Sequence, residues 1–336
     1  MDASLLPKTW TGPGLVDLQM NGYAGFDFNA PADDWTSEAL EHVRLRLRAR
    51  GVLAAFPTLI TDDLDAMVAR AARYAELLNA NPLFELTFPR LHIEGPFISP
   101  LDGPRGAHPL AYCRVPKQAP DVLDRLLDAS GGRIGILTLA PELDGALPLI
   151  EHAAACGVCV GIGHTNASNA TIADAVQAGA TLSTHLGNGS HQVLPRLDNY
   201  VQTQLAEDAL AATFIADGHH VPFTTLKNFL RAKTWPRSIL VTDATAGADA
   251  PPGDYMLGPE RIVVSENLRV SKPGQDNLAG SALTLDRAII NVATHCGVPF
   301  ADAWAMASTI PAATVGLSGP PPITVHISSE RFLNEE

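Results

Sequence analysis

Cysteine is scarce in this chain, with four among 336 residues. Four scattered thiols cannot staple a chain of this length, so a disulfide scaffold is excluded and a reducing cytoplasm is the expected setting. Cys156-Gly-Val-Cys159 has C-x-x-C spacing. It spans a helix end and the start of an apolar strand with no second pair, which favours two buried small residues over a redox or metal motif. Positive charge is also short, at 23 Lys and Arg against 36 Asp and Glu, for a formal net charge of −13. That balance argues against nucleic acid and anionic membrane as partners. It also means that an anionic substrate must be held by local cations.

Long apolar runs are missing as well. No segment reaches the roughly 18 apolar residues that span a bilayer. The start "MDASLLPKTWTGPG" lacks the basic and then apolar pattern of a leader. There is no P-loop, no G-x-G-x-x-G and no G-x-S-x-G, so nucleotide and serine-hydrolase readings have no sequence basis. Hydrophobic content of 46% with 18% charged residues leaves ample material for a core and nothing that resembles a disordered or fibrous chain.

What is present is an alternation of short apolar runs with longer helical patterns. Strands are expected at 14–21, 52–59, 89–95, 133–141, 158–164, 181–186, 211–218 and 238–245. They lack strict polar alternation, as expected when both faces of a sheet are covered. Helices are expected in "TSEALEHVRLRLRARG", capped by Thr36, and in a segment opening at Thr61 with Asp62 and Asp63. Two shorter ones follow in "SNATIADAVQAGA" and "VPFTTLKNFLRAK". Eight such units form a (β/α)8 TIM-type barrel more naturally than a doubly wound open sheet. A β-hairpin insertion is expected near 253–272, with closing helices in 278–297 and 301–317. The tail 318–336 offers one short strand at most.

In a barrel, the C-terminal ends of the strands line the active face. Here those ends carry Asn21, Glu94, His164, His185, the group from Asp217 to His220, and Asp243. A lone histidine at such a place is more often a hydrogen-bonded structural residue, and a lone aspartate a turn or helix cap. Together Glu94, His164 and His185 make an N/O ligand set suited to one divalent ion, with positions left open for water. Zn²⁺ is the first choice, and Fe²⁺, Co²⁺ and Mn²⁺ suit the same donors. Asp243 in "LVTDAT" is placed to act as general base and then acid. His108, in the loop after Glu94, is a candidate for polarising a carbonyl. Metal hydrolases on parallel barrels often carry His-x-His at the end of the first strand, where this chain has Gln19-Met20-Asn21.

The segments "PGLVDLQMNGYAGFDFN", "GVLAAFPTLITDD", "LHIEGPFIS", "GHTNAS", "THLGNGS", "ADGHHV", "LVTDAT" and "LAGSALTLDRAI" occur in this order. As a set they resemble the N-acetylglucosamine-6-phosphate deacetylases of the amidohydrolase superfamily, over residues 13–317. The resemblance implies Glu94, His164 and His185 as metal ligands, Asp243 as acid/base and His108 at the acetamide carbonyl. It further implies Asn188 and Gly189 at the sugar phosphate and His220 at the substrate. Arg196 falls where the family's phosphate-binding arginine reaches across from a neighbouring subunit, which implies a homodimer. The family's small β-sandwich is expected to be reduced or absent, with 1–12 and 318–336 as its remnant. Gln19 and Asn21 replace the histidines of two-metal members, which implies one metal. Their amides are expected to meet sugar or phosphate, with Gln19 alternatively orienting a metal ligand.

The expected activity is therefore metal-assisted hydrolysis of N-acetylglucosamine 6-phosphate to glucosamine 6-phosphate and acetate. The loop "THLGNGSHQVLPRLDNY" departs from the family wording and leaves open a phosphate-free N-acyl amino sugar or N-acyl amino acid. A metal-free binding barrel is the remaining alternative.

Overall fold

The computed structural model describes residues 6–328 and 330–334; the rest of both expected terminal segments lies outside the described residues. The eight expected strands are all there. We number them β1 (Leu15–Met20), β2 (Val52–Ile60), β3 (Leu91–Glu94), β4 (Ile134–Leu139), β5 (Cys159–Ile162), β6 (Ala180–Ser183), β7 (Ala211–Ile215) and β8 (Ser238–Val241). They form one parallel sheet in sequence order. Asp243 N donates to Gln19 O at 2.9 Å and Met20 bridges Ala244, so the last strand returns to the first. The result is a closed TIM-type barrel with helices between strands, and the apolar side chains of strands and helices merge into one core.

The helices begin where cap chemistry allows. Thr36 accepts from Ala39 N and opens Ser37–Ala49. The next helix, Leu64–Ala80, starts three residues past Thr61 because Asp63 takes the cap, accepting from Asp65 N and Ala66 N. Thr61 is turned to the barrel instead, its hydroxyl donating to Glu94 O at 3.3 Å.

Both closing helices are shorter than expected. Residues 278–284 do not join Leu285–Asn291. They run beside the end of β8, where Ser281 N donates to Asp243 O at 2.9 Å and Thr245 N donates to Ser281 O at 2.8 Å. This strip satisfies backbone groups that would otherwise be orphaned at the barrel mouth. The 301–317 segment breaks into Phe300–Ala305 and Thr309–Thr314. At the break, Met306 O accepts from Leu240 N and Ala307 O from Val16 N, both at 2.8 Å.

The insertion is a three-stranded antiparallel meander, Gly253–Leu257, Glu260–Val264 and Val270–Ser271. The tail carries two strands rather than one, Pro322–Ile327 and Phe332–Asn334, paired with Thr9–Pro13 in a small sheet. Among the described residues, segments near the two ends of the chain meet in this sheet. Cys156, just past the end of Ala146–Ala155, is exposed and Cys159 is half-buried, so the expectation that both are buried fails for Cys156 and is met only in part for Cys159.

Candidate active site

Alternation along each strand aims every second side chain into the barrel. Thus His92 and Glu94 both point inward, one layer apart. His92 Nε2 meets Thr138 Oγ1 at 2.7 Å, and Thr138 Oγ1 meets Thr184 Oγ1 at 2.7 Å, forming a polar floor. Burial pushes His92 down to about 4, so the floor is held by a neutral imidazole.

Above this floor Glu94 is buried at the end of β3. Its Oε1 lies 3.0 Å from His164 Nε2 and 2.8 Å from His185 Nε2, and the two ring nitrogens are 3.1 Å apart. Burial would raise the Glu94 carboxyl, but both imidazoles bond to it and hold it well below the usual carboxylate range. His164 Nδ1 faces the Pro104 carbonyl at 2.8 Å, which fixes the ring from outside. Among the described residues these three side chains form the one group that could hold a metal ion. A single proton can serve one contact between two imidazoles and a carboxylate; a divalent ion can serve all three lone pairs. The buried donor set fits such an ion.

His164, His185 and Asp243 adopt left-handed backbone angles, φ 51°, 31° and 49°. Each costs roughly 1–2 kcal/mol for a residue with a Cβ. All three lie one or two residues beyond a strand, where the twist swings the side chain over the mouth. Gly189 also has positive φ, and a Cβ there would come 2.6 Å from His164 Nδ1. Only a glycine lets that backbone approach the ring.

Asp243 is buried at the end of β8 and accepts from Asn21 Nδ2 at 2.7 Å and Gln19 Nε2 at 3.2 Å. Burial, and next the charge on Glu94, push its carboxyl up to about 6, a value suited to a group that takes and returns a proton near neutrality. His108 sits with its ring centroid 4.4 Å from that of His164. Burial drives it down to about 3, so it is a neutral imidazole, and its Nδ1 has no partner among the described residues.

A cavity of about 940 Å³ opens over these groups, lined by Asn21, Glu94, His108, His164, His185 and Asp243. That is at the upper end of the roughly 300–1,000 Å³ usual for small-molecule sites. Asn188, Gly189 and His220 line it too. Two of the expected site residues do not. Gln19 is buried behind the carboxylates, with Nε2 also 3.1 Å from Glu94 Oε1, the position expected of a side chain that orients a metal ligand. Arg196 is exposed on the loop after β6 and does not line the cavity of its own chain.

Sequence reasoning did not single out Arg105, Arg269 or Lys272, the cations at the cavity wall. They lie in a loop and in the meander, where no periodicity marks a residue as inward. It also passed over Asp17, although the spacing Asp17-x-Gln19 puts both on the inner face of β1.

No family model matches the chain. It is 33% identical over 322 residues to the N-acetylglucosamine-6-phosphate deacetylase of Bos taurus, covering 91% of this chain and 74% of the relative. It is 32% identical over 306 residues to the N-acetylgalactosamine-6-phosphate deacetylase of a Shewanella strain, covering 89% of this chain and 72% of the relative. A solved structure from Mycobacterium smegmatis, an N-acetyl-D-glucosamine-6-phosphate deacetylase variant in complex with N-acetyl-D-glucosamine-6-phosphate, superposes with a TM-score of 0.85. The two are 27% identical, over 96% of this chain and 87% of that one.

Proposed function

The chain belongs to the N-acetylglucosamine-6-phosphate deacetylase family and is an amide hydrolase, and from that premise we propose how its own residues act on an N-acetyl amino sugar 6-phosphate. The products are glucosamine 6-phosphate and acetate. The observation that carries the reading is the convergence of Glu94, His164 and His185 beside a carboxylate at about 6 in one cavity.

Glu94, His164 and His185 would hold one divalent ion, with Zn²⁺ first among the ions this donor set suits. Such an ion, when bound, supplies Lewis acidity toward water and the acyl oxygen. Asp243, held by Asn21 and Gln19, takes a proton as water adds to the acyl carbon. His108, neutral, donates to the acyl oxygen as charge develops on it. Asp243 then delivers its proton to the departing nitrogen as the C–N bond breaks, leaving acetate and the amine. Asn188 and Gly189 border the sugar side of the cavity. Arg105, Arg269 and Lys272 give the local positive charge that a phosphate needs on a chain of net charge −13.

Family resemblance supports a homodimer in which Arg196 reaches the neighbouring site. The exposure of Arg196, together with Val193 and Leu197 on the same loop, suits that arrangement. Among the described residues no helix is long and apolar enough to cross a membrane. Four free thiols and the acidic balance support a reducing, cytoplasmic setting without a nucleic-acid partner.

A second reading keeps the chemistry without the phosphate. It is favoured by the loop "THLGNGSHQVLPRLDNY", whose wording around Arg196 departs from that of the family. Turnover of N-acetylglucosamine 6-phosphate, N-acetylgalactosamine 6-phosphate and both parent sugars, with metal content measured on the same sample, decides between them. A kcat/KM at least about a hundredfold higher with phosphate supports the first reading, and equal values support the second.

A further inference from the structure

The segment "ADGHHV" at the end of β7 holds a hydrogen-bonded Asp–His pair whose acidic member has no part in the steps above. We propose that Asp217 is a positioning residue that sets His220 as a hydrogen-bond acceptor for a hydroxyl group of the sugar ring. The choice of ligand rests on the deacetylase reading; the state of the imidazole rests on the geometry alone.

Asp217 uses both carboxylate oxygens. Oδ1 accepts the backbone N–H groups of His219 and His220, each at 2.9 Å, and closes the turn. Oδ2 faces His220 Nδ1 at 2.7 Å. The side chains are only 9% and 7% exposed, so water competes little for this bond. A carboxylate is an acceptor only, so Nδ1 must carry the proton. In the neutral ring the lone pair then lies on Nε2. Among the described residues Nε2 has no hydrogen-bond partner, and His220 lines the cavity. His219 next to it turns away, its Nε2 meeting the Asn267 carbonyl at 2.9 Å.

An acceptor at this wall selects among the groups of an amino sugar phosphate. Phosphate oxygens and the acyl carbonyl are themselves acceptors and gain nothing there. A ring hydroxyl donates to it. This makes His220 a reader of hydroxyls rather than of charge, and Asp217 the group that keeps it so.

Asp217→Asn separates the two jobs of the carboxylate. Its Oδ1 still accepts both backbone N–H groups, but its amide N–H faces His220 Nδ1 and moves the ring proton to Nε2. We expect KM for N-acetylglucosamine 6-phosphate to rise about tenfold while kcat changes less than about threefold. Nitrogen-15 NMR of histidine-labelled holoenzyme without substrate, at mildly alkaline pH and assigned with His220→Asn, should show Nδ1 protonated and Nε2 bare in the parent protein. A proton on Nε2 in the parent spectrum overturns the proposal, and so does an unchanged KM in Asp217→Asn. The spectrum needs no turnover, and a folded His220→Asn serves only to assign it. A parent enzyme that fails to deacetylate would sink the deacetylase reading while the spectrum still judges the pair.

Discussion

Gln19 Nε2 donates to Glu94 Oε1 at 3.1 Å, and to the same oxygen that His164 and His185 face. The amide also lies 3.2 Å from Asp243 Oδ1, so one neutral group bridges the carboxylate of the ligand set and the carboxylate of the base. A histidine or a second metal at this position would add charge between them; an amide orients both without doing so. Gln19→Ala is therefore expected to weaken metal binding by about 10–100-fold. Competition with a coloured chelator measures it, and an unchanged affinity would remove Gln19 from the support of the site.

Asp243→Asn keeps the shape of the side chain and removes its basicity. The expected loss in kcat is about 10²–10⁴-fold, with metal content and KM close to those of the parent. As a base Asp243 acts ionised, so activity falls as pH falls through its pKa. That value is about 6 without an ion, and a nearby cation lowers it, so the acid limb of kcat/KM lies at or below about 6. A near-normal kcat in the variant would overturn the assignment.

Asp17 lies on the inner face of β1 and is buried, accepting from Thr242 Oγ1 at 2.6 Å and Thr242 N at 3.2 Å. Burial outweighs these bonds and pushes its carboxyl up to about 7. A carboxyl raised on folding favours the native state most below its unfolded pKa, near 4. That contribution fades as pH rises through 7. Asp17→Asn, which stays neutral, should gain stability on the parent as pH rises from 4 to 7, by on the order of 4 kcal/mol at the top of that range. Thermal melts across pH test it, and a constant difference between the two proteins would refute it.

Arg196→Ala leaves the cavity of its own chain untouched. If Arg196 meets phosphate in a neighbouring site, KM for the phosphorylated sugar should rise about tenfold or more, with little change for N-acetylglucosamine. Sedimentation of the parent protein should give a dimer. A monomer that nonetheless discriminates for phosphate would shift that role to Arg105, Arg269 and Lys272.

Much of the barrel is legible in the chain because a buried strand is a local signal: an apolar run of fixed length followed by a turn. "LHIEG", "GIGHT" and "LVTDAT" each end such a run with a polar residue, and the structure brings those ends to one mouth. The closing segments were less legible. Residues 278–284 have helical composition, yet Ser281 pairs with the end of β8 because the mouth supplies unpaired backbone groups there. No window of sequence contains that demand. The meander's cations were invisible for the same reason, since short antiparallel strands on the surface do not announce which edge overhangs a cavity.

By itself, then, the sequence determined the eight strands, their order and the kinds of group at their ends, because hydrophobic period and chain order are properties of one dimension. The tertiary structure decided which atoms those groups meet. Gln19 and Glu94 are 75 residues apart and Gln19 and Asp243 are 224 apart, and only closure of the barrel makes them neighbours. Closure turned Gln19 from a candidate for touching sugar into the brace behind two carboxylates, and it left Arg196 facing outward. Hydrogen bonds are directional and reach about 3 Å, so their partners are settled by the closed sheet rather than by spacing along the chain.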